Sequence, residues 1–297
     1  MKLKTIISIA CCLMAAIAGN NLAFAQQKRA FLVGISDYGN PREDPDKWSN
    51  ISGANDVQLL SPVLQQQGFS VASLTNSKAT KRAITTGLDN LVRQCKAGDI
   101  VYLHFSMHGQ PIEDKNGDEA DGWDEALIPY DAQMKFKKGV YEGQNHLLDD
   151  ELEGIFNKIR SKIGARGQLF IVMDACHSGT MNRGDGDHVR GVRDGFTANP
   201  DKLYTPDRTK ELNGYYKLPT ASGQSPVTFL EACRSYQTNK EVRDASTNTW
   251  YGSLSYYVCQ ASKSNNIGTQ AWIDAVKAGM KGDRRLRKQN MVIESSR

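Results

Sequence analysis

The sequence lacks the glycine-rich loops with which many enzymes hold nucleotide phosphates. Neither G-x-G-x-x-G nor the P-loop pattern ending in G-K-S or G-K-T occurs in its 297 residues. A strong charge bias is missing too, since the formal net charge is only +4. These absences argue against a nucleotide cofactor and a polyanionic partner. We therefore expect no organic cofactor and no nucleic acid.

Long apolar runs are confined to the N-terminus. Residues 1–25 combine two lysines, an apolar stretch over 5–18 and the triplet A-F-A at 23–25, which is the pattern of a secretory signal peptide with its cleavage site. The apolar stretch is shorter than the about 20 residues that span a bilayer. We predict that this segment is removed and that residues 26–297 are secreted or periplasmic, with no membrane attachment afterwards.

Cysteine is scarce. Two of the six cysteines fall within the predicted signal peptide. A chain of this length buries enough apolar surface to fold without disulfides. We expect Cys176 to be a free thiol, and the state of three other cysteines stays open: Cys95, Cys233 and Cys259.

Strand-like apolar runs alternate with amphipathic helical segments along the chain. Such alternation is typical of a three-layer α/β/α sandwich with a mainly parallel central sheet. One polar stretch, 180–225, is predicted to be a long loop. The predicted strands are 29–35, 69–74, 100–105, 169–173 and 227–232. The predicted helices are 55–67, 78–95, 148–163, 251–260 and 269–281.

Two of these predicted strands are followed by residues of types that act in catalysis. Residues 168–179 read Q-L-F-I-V-M-D-A-C-H-S-G, so Cys176 follows a buried strand, and His108 follows the strand at 100–105 in the same way. In open α/β sheets, ligands bind beyond the carboxyl ends of the strands. A thiol beside an imidazole is the minimum for a cysteine nucleophile. Each residue alone is more often structural, but the pair favours an enzyme.

These strings carry a family resemblance. A strand followed by S-x-H-G, and later a strand followed by D-x-C-H-S-G, resembles the caspase/metacaspase group of cysteine peptidases, and metacaspases most of all. Further similar stretches lie at 31–56, 117–125, 147–152 and 230–233. The resemblance implies a caspase-like peptidase domain over 26–297, with Cys176 as the nucleophile and His108 as its acid/base partner. It also implies an oxyanion site made by the amides of Gly109 and Cys176.

The resemblance further implies the substrate pocket. In metacaspases, positions matching Asp56, Ser106 and Asp174 bind the side chain before the cleaved bond. Two carboxylates suit the guanidinium of Arg in a forked geometry, or Lys as a point charge. The resemblance thus predicts protein or peptide substrates with Arg or Lys before the scissile bond. In the simpler interpretation, Asp56 caps a helix and Asp174 ends a strand. Caspases hold a substrate Asp with arginines, and no matching Arg is apparent beside Asp56.

Calcium is the one cofactor that the resemblance suggests. Metacaspases that bind it use positions matching Asp124, Asp149 and Asp150. Their fourth ligand position falls near Arg183, where the nearest carboxylate is Asp185. The acidic stretch does not complete the ligand ladder of an EF-hand.

Self-processing is expected in the loop at 180–225, which begins next to the active site and carries basic residues. The alternatives to the peptidase are a catalytically inactive caspase-like domain that binds proteins, and a caspase-like peptidase with acidic specificity. The candidate cleavage residues are Arg183, Arg190, Arg193, Lys202, Arg208 and Lys210.

Overall fold

A computed structural model of the chain describes residues 26–39, 44, 46–117, 119, 121–176, 189–192, 194–206 and 214–296. The predicted signal peptide lies outside these ranges, and so do several residues named above: Arg183, Asp185, Arg193, Arg208 and Lys210.

The described residues form thirteen strands, several of which are only two to four residues long. They are β1 (Lys28–Gly34), β2 (Phe69–Thr75), β3 (Ile100–Ser106), β4 (Gly109–Glu113), β5 (Trp123–Leu127), β6 (Leu147–Leu148), β7 (Gln168–Asp174), β8 (Val189–Arg190), β9 (Tyr215–Lys217), β10 (Val227–Glu231), β11 (Asn239–Asp244), β12 (Thr249–Gly252) and β13 (Val292–Ser295).

Five α-helices connect and cover the strands. They are α1 (Gly53–Gln66), α2 (Lys81–Gln94), α3 (Asp149–Ile163), α4 (Ser253–Ser262) and α5 (Gln270–Gly282). None of the helices among the described residues is both long and apolar enough to cross a membrane.

Seven strands make the central sheet, in the order β2-β1-β3-β7-β10-β13-β9. The first five are parallel to one another, and only β13 runs antiparallel to its neighbour β10. Alternate strand residues feed two cores. One core packs α2 and α3 on one face, and the other packs α1, α4 and α5 on the opposite face. The predicted α/β/α sandwich with a mainly parallel sheet is therefore confirmed.

The small sheets were not predicted. One has the order β4-β5-β6 and the other β12-β11-β8. Two sequence expectations were wrong here. The segment 251–260 begins as the end of strand β12, and its helix starts only at Ser253. The stretch 180–225 is not entirely loop, because it contains β8 and β9. These strands are too short for a hydrophobic period to show in the sequence.

The register of the central sheet sets the positions of His108 and Cys176. In the parallel pair β3 and β7, Ser106 lies opposite Asp174. His108 and Cys176 each follow two residues later, at the same edge of the sheet. Strand β4 then begins at Gly109, immediately beyond His108.

Gly53, the first residue of α1, brings the helix close enough to the strands for its side chains to reach this edge. A Cβ added at Gly53 would lie 2.1 Å from the carbonyl oxygen of Ser106 and 2.7 Å from that of Ile35. Both neighbours are backbone atoms of β3 and of the residue after β1, so neither can move cheaply. The close approach of α1 therefore requires glycine.

We predict that Gly53→Ala lowers the free energy of unfolding by about 2 kcal/mol, because overpacking against backbone forces the helix outward. Gly154→Ala is the matched control. Gly154 is exposed on α3 with no neighbour within 4 Å of an added Cβ, and alanine there should stabilise by about 0.5–1 kcal/mol. Urea denaturation measures both. Equal effects of the two substitutions would contradict the packing argument.

Candidate active site

His108 is held between two aromatic rings behind the edge of the sheet. The ring centroids of Trp48 and Tyr38 lie 5.0 and 5.1 Å from that of His108. The Tyr38 hydroxyl accepts a hydrogen bond from the backbone N–H of His108 at 3.2 Å and donates one to the carbonyl of Ile128 at 2.9 Å. The imidazole is therefore fixed in position by residues from three separate segments.

The hydrogen bonds of the ring define its tautomer. Nε2 lies 2.8 Å from the carbonyl oxygen of Ser49, which can only accept, so Nε2 carries the proton. Nδ1 accepts a hydrogen bond from the backbone N–H of Gly191 at 2.7 Å. Burial lowers the pKa of His108 to about 4, an effect that the bond to Ser49 opposes and the charge of Arg190 reinforces. The ring is thus neutral near pH 7.

The Cys176 thiol is buried against the segment that connects β10 to β11. Its Sγ donates to the carbonyl of Gln237 at 2.9 Å and lies 3.5 Å from the Sγ of Cys233. Hydrogen bonding to Cys176 and burial raise the pKa of the Cys233 thiol well above its ordinary value. All four described cysteines are free thiols, in line with the expectation for Cys176. Cys233 and Gln237 were not identified as neighbours from the sequence.

The three residues proposed for the substrate pocket are brought together. The Ser106 hydroxyl donates to Asp56 Oδ2 at 2.5 Å. Asp56 also accepts the N–H of Gly252 at 2.9 Å. Asp174 accepts bonds of 2.6 to 2.7 Å from Asn239 and from both the N–H and the hydroxyl of Ser255.

Glu241 on β11 is a third carboxylate in this pocket. Its two oxygens accept the backbone N–H and the hydroxyl of Ser52 at 2.6 and 2.8 Å. This bond pair fixes the carboxylate at the start of α1, facing Asp56. Nothing in the sequence indicated this role, since Glu241 lies in a charged stretch, K-E-V-R-D, that is typical of a solvated strand.

The pocket is filled by Arg190 of β8. Each of its five N–H donors has an acceptor. Nε donates to Glu241 at 3.1 Å, and Nη2 donates to Glu241 and Asp56 at 3.0 and 2.7 Å. Nη1 donates to the Ser106 hydroxyl at 2.6 Å and to the Asp174 carbonyl at 3.0 Å, with the Asp174 carboxylate 3.4 Å away. Arg190 was not identified from the sequence as a neighbour of Asp56, and its donors are used by carboxylates and so do not await an acidic substrate as the arginines of caspases do.

The charges in this pocket are unequal, because three carboxylates surround one guanidinium. Burial raises the pKa of Asp56 to about 7, which the charge of Arg190 opposes and that of Asp174 reinforces. Burial acts in the same direction on Asp174, but Arg190 and the bonds from Asn239 and Ser255 together keep its pKa below the usual range. Burial disfavours the charged form of Arg190, yet the carboxylates of Asp174, Asp56 and Glu241 raise its pKa above the ordinary value.

Gly191 follows Arg190 in the chain and connects the pocket to His108 and Cys176. Its φ is +96°, and a Cβ added there would lie 1.9 Å from the carbonyl oxygen of Cys176 and 3.1 Å from that of Gly109. Gly191 therefore lies between the backbone of these two residues, whose amides were proposed as the oxyanion site. Only glycine fits this approach.

The three carboxylates proposed as calcium ligands face two different cavities. Asp149 and Glu125 line a cavity of about 260 Å³ beside Cys176, whereas Asp124 and Asp150 line another of about 160 Å³. In the part of the chain that the structure describes, which leaves out Asp118, no group of three or more His, Cys, Asp or Glu side chains could hold a metal ion. These residues do not fit a calcium site by themselves.

The chain resembles proteins of one family. Residues 28–183 match the family model described as the metacaspase, peptidase C14 domain. Metacaspase-2 of Arabidopsis thaliana is 31% identical over 79% of this chain and 52% of its own length. Metacaspase-1 of Mycosarcoma maydis is 26% identical over 75% of the chain and 60% of its own. The chain thus spans about half the length of these curated relatives.

A solved structure shows the same fold at low sequence identity. A crystal structure of a Geobacter sulfurreducens protein superposes with a TM-score of 0.59 and 18% identity, over 91% of this chain and 93% of that one. The matched region is therefore a peptidase C14 domain of the metacaspase type, on a caspase-like fold. The chain belongs to the metacaspase family. The matched region ends before Arg190 and Glu241.

His104 is hydrogen-bonded through Ser255 to Asp174, one of the carboxylates of the pocket. The Ser255 hydroxyl donates to Asp174, so it accepts from His104 Nε2–H at 2.9 Å, and Nδ1 then accepts from the Tyr102 hydroxyl at 3.1 Å. Burial lowers the pKa of His104 to about 4, although the charge of Asp174 opposes this. A chain of hydrogen bonds thus runs from Tyr102 to the pocket, and it requires a neutral imidazole.

We predict that His104→Gln destabilises the protein at pH 7 and that the difference from wild type narrows toward pH 4. The folded-state pKa lies below the unfolded value near 6.5, so the wild type loses this contribution, at most about 3 kcal/mol, as the pH falls through the folded pKa. Glutamine does not titrate. Unfolding free energies of both proteins between pH 4 and 7.5 test this. A difference that is independent of pH would contradict a neutral, buried His104.

Proposed function

We propose that the chain is an exported cysteine endopeptidase that cleaves after arginine, and less efficiently after lysine. The observation that carries this proposal is the Arg190 guanidinium in the pocket, with acceptors for all five of its donors. A lysine ammonium has three donors and no group at the Nε position. It could not donate to Glu241 from the Nε position as Arg190 does. Export remains a prediction from residues 1–25.

The same pocket argues against the two rival functions. Three carboxylates would repel an acidic side chain, so a peptidase that cleaves after Asp is disfavoured. A protein-binding domain without catalysis would need neither the buried thiol of Cys176 nor a neutral imidazole that faces a peptide nitrogen. The arrangement supports an active enzyme.

The proposed chemistry follows from the positions of the two residues. Cys176 attacks the carbonyl carbon after the bound Arg, and its proton passes to Nδ1 of His108. The imidazolium then donates this proton to the departing amine. The amides of Gly109 and Cys176 would bind the oxyanion, in accord with the sequence prediction. Water hydrolyses the thioester and restores the thiol.

Glu241→Gln is the sharpest test of the pocket. We expect it to reduce kcat/KM on peptides ending in Arg by about 30-fold or more, since a buried charge pair lost on one side costs about 2–5 kcal/mol. The loss on Lys peptides should be smaller, because only Arg presents Nε–H to this carboxylate. The assay uses matched fluorogenic peptides ending in Arg, Lys or Asp.

The control is Glu153→Gln, a carboxylate on the rim of the neighbouring cavity, which should leave the Arg-to-Lys ratio unchanged. Cys176→Ala should abolish all cleavage. Equal turnover of Arg, Lys and Asp peptides by the wild type would contradict the proposed specificity, and turnover by Cys176→Ala would contradict the proposed nucleophile.

Stimulation by calcium stays part of the proposal and rests on the resemblance. One observation supports it: burial and the charges of Glu125, Asp124 and Asp150 raise the pKa of Asp149 to about 7. A cation in the cavity that Asp149 and Glu125 line would relieve this repulsion, although the described residues alone do not complete a site for it.

We predict that calcium at about 1 mM, the range of weak extracellular sites, raises both the melting temperature and the rate of peptide cleavage. Asp149→Asn should remove the increase in melting temperature. Magnesium at the same concentration is the control ion. If a chelator and added calcium both leave the melting curve and the activity unchanged, the carboxylates serve only the local structure.

A further inference from the structure

Asn239 on β11 joins the arginine pocket to the backbone of the proposed nucleophile. We infer that Asn239 is a positioning residue, whose side-chain amide aligns the N–H of Cys176 for the oxyanion while it also holds Asp174. The inference rests on the proposed function, because it uses the same pocket and the same proposed oxyanion site. It adds a residue that acts on the rate of the reaction without touching the substrate carbonyl.

Both hydrogens of the Asn239 amide point to the end of β7. Nδ2 donates to Asp174 Oδ1 at 2.7 Å and to the carbonyl oxygen of Ala175 at 3.4 Å. The bond to the carboxylate is short and charge-assisted, whereas the bond to the carbonyl is longer and weaker. Because the two acceptors belong to consecutive residues, one side chain holds both a pocket carboxylate and the peptide group that follows it.

The carbonyl of Ala175 belongs to the same peptide group as the N–H of Cys176. This group is planar, so a bond accepted at its oxygen also fixes the direction of its N–H. Hydrogen bonds in a chain polarise one another, which makes the N–H a stronger donor. Asn239 therefore acts on the proposed oxyanion donor through a single peptide group.

The oxygen of the Asn239 amide accepts from two other elements. The Ser253 hydroxyl donates to Oδ1 at 3.2 Å, and Gln289 Nε2 donates to it at 3.0 Å. The amide thus uses two donors and two acceptors at once. A flipped amide would turn its oxygen toward the carboxylate of Asp174 and its hydrogens toward other donors. The amide is therefore held in one orientation.

Gln289, fifty residues further along the chain, supports Asn239. Its Nε2 also donates to the carbonyl of Ala232 at 3.0 Å and to Ser253 Oγ at 2.7 Å, and its Oε1 accepts the N–H of Lys240 at 2.9 Å. Asn239, Ser253 and Gln289 are all buried. A buried polar network with its bonds made is rigid, which is what a positioning residue needs.

The backbone of Asn239 faces the position of the bound arginine. Strand β11 pairs antiparallel with β8, and Asn239 lies opposite Arg190. The arginine of a substrate, as proposed above, would take the place of Arg190 and lie against the same residue. Arginine binding and the alignment of the Cys176 N–H thus depend on one side chain.

Asn239→Ala in the full chain tests the inference. We expect kcat on a fluorogenic peptide ending in Arg to fall about 10-fold or more, as part of the effect of losing one oxyanion donor. The KM should rise less than about 3-fold, because Ser255 still donates two bonds to Asp174. A residue that only shapes the pocket would change KM instead.

Two inhibitors on the same peptide separate alignment from pocket binding. A peptidyl-arginine aldehyde takes the Cys176 sulfur onto its carbonyl carbon, and the thiol proton ends on the new hemithioacetal oxygen, which lies in the oxyanion site. The matching peptide with a C-terminal agmatine has the guanidinium but no carbonyl beside it. Asn239→Ala should weaken the aldehyde about 10-fold or more and the agmatine peptide less than about 3-fold. Both must displace Arg190, so this displacement does not alter their ratio.

Ser255→Ala is the matched control. It removes one donor to Asp174 and makes no change at Ala175, so it should weaken both inhibitors by the same factor. Thermal melting checks the folding of each variant. If Asn239→Ala does not fold, Gln289→Met replaces it, because this variant keeps the amide but removes one of its supports. The aldehyde should again be weakened more than the agmatine peptide.

The outcomes distinguish this inference from the proposed function. A folded Asn239→Ala that weakens both inhibitors equally, or that raises KM with kcat unchanged, overturns the inference and leaves arginine specificity intact. An unchanged kcat, KM and inhibitor ratio overturns it as well. A wild type that neither cleaves the Arg peptide nor binds the two inhibitors overturns the proposed function itself.

Discussion

The site depends on one buried ion cluster, in which Arg190 neutralises part of the charge of Asp56, Asp174 and Glu241. Removing four charged groups from water costs several kcal/mol per ion, and only close pairing with well-directed hydrogen bonds offsets this. Here every donor of the guanidinium is used, and the carboxylates are bound in addition by Ser52, Ser106 and Ser255. The cluster is stable as a whole, but with the cation removed it would leave three buried carboxylates facing one another. The pocket is therefore built to hold a cation, and an arginine in particular.

The sheet explains why these groups meet. Asp56 comes from α1, Ser106 and Asp174 from the ends of β3 and β7, and Glu241 from β11. Parallel strands deliver Ser106 and Asp174 side by side, whereas α1 reaches them only because Gly53 allows backbone contact. The ion cluster around Arg190 is consequently positioned by the same sheet edge that His108 and Cys176 occupy. A change in the packing of α1 would displace Asp56 before it displaced His108 or Cys176.

Part of the fold and part of the candidate site could be predicted from the sequence. The buried runs at β1, β3 and β7 have an unambiguous apolar pattern, so the central sheet and the placement of His108 and Cys176 after neighbouring strand ends could be predicted. Asp56, Ser106 and Asp174 were proposed from the resemblance to metacaspases. Glu241 and Arg190 could not be found in either way. Each lies on a short strand in a polar stretch, where no period shows, and the contacts that bury them join residues 51 to 189 positions apart.

The position of Arg190 also constrains which arginine the pocket can bind. Its guanidinium uses the acceptors that the arginine of a substrate, as proposed above, would need. Weaker acceptors would loosen both arginines by the same amount, so the balance between the two depends on connectivity. Arg190 belongs to the same chain and is therefore present at an effective concentration that an external peptide does not reach. An external arginine could enter only when β8 leaves its position beside β11.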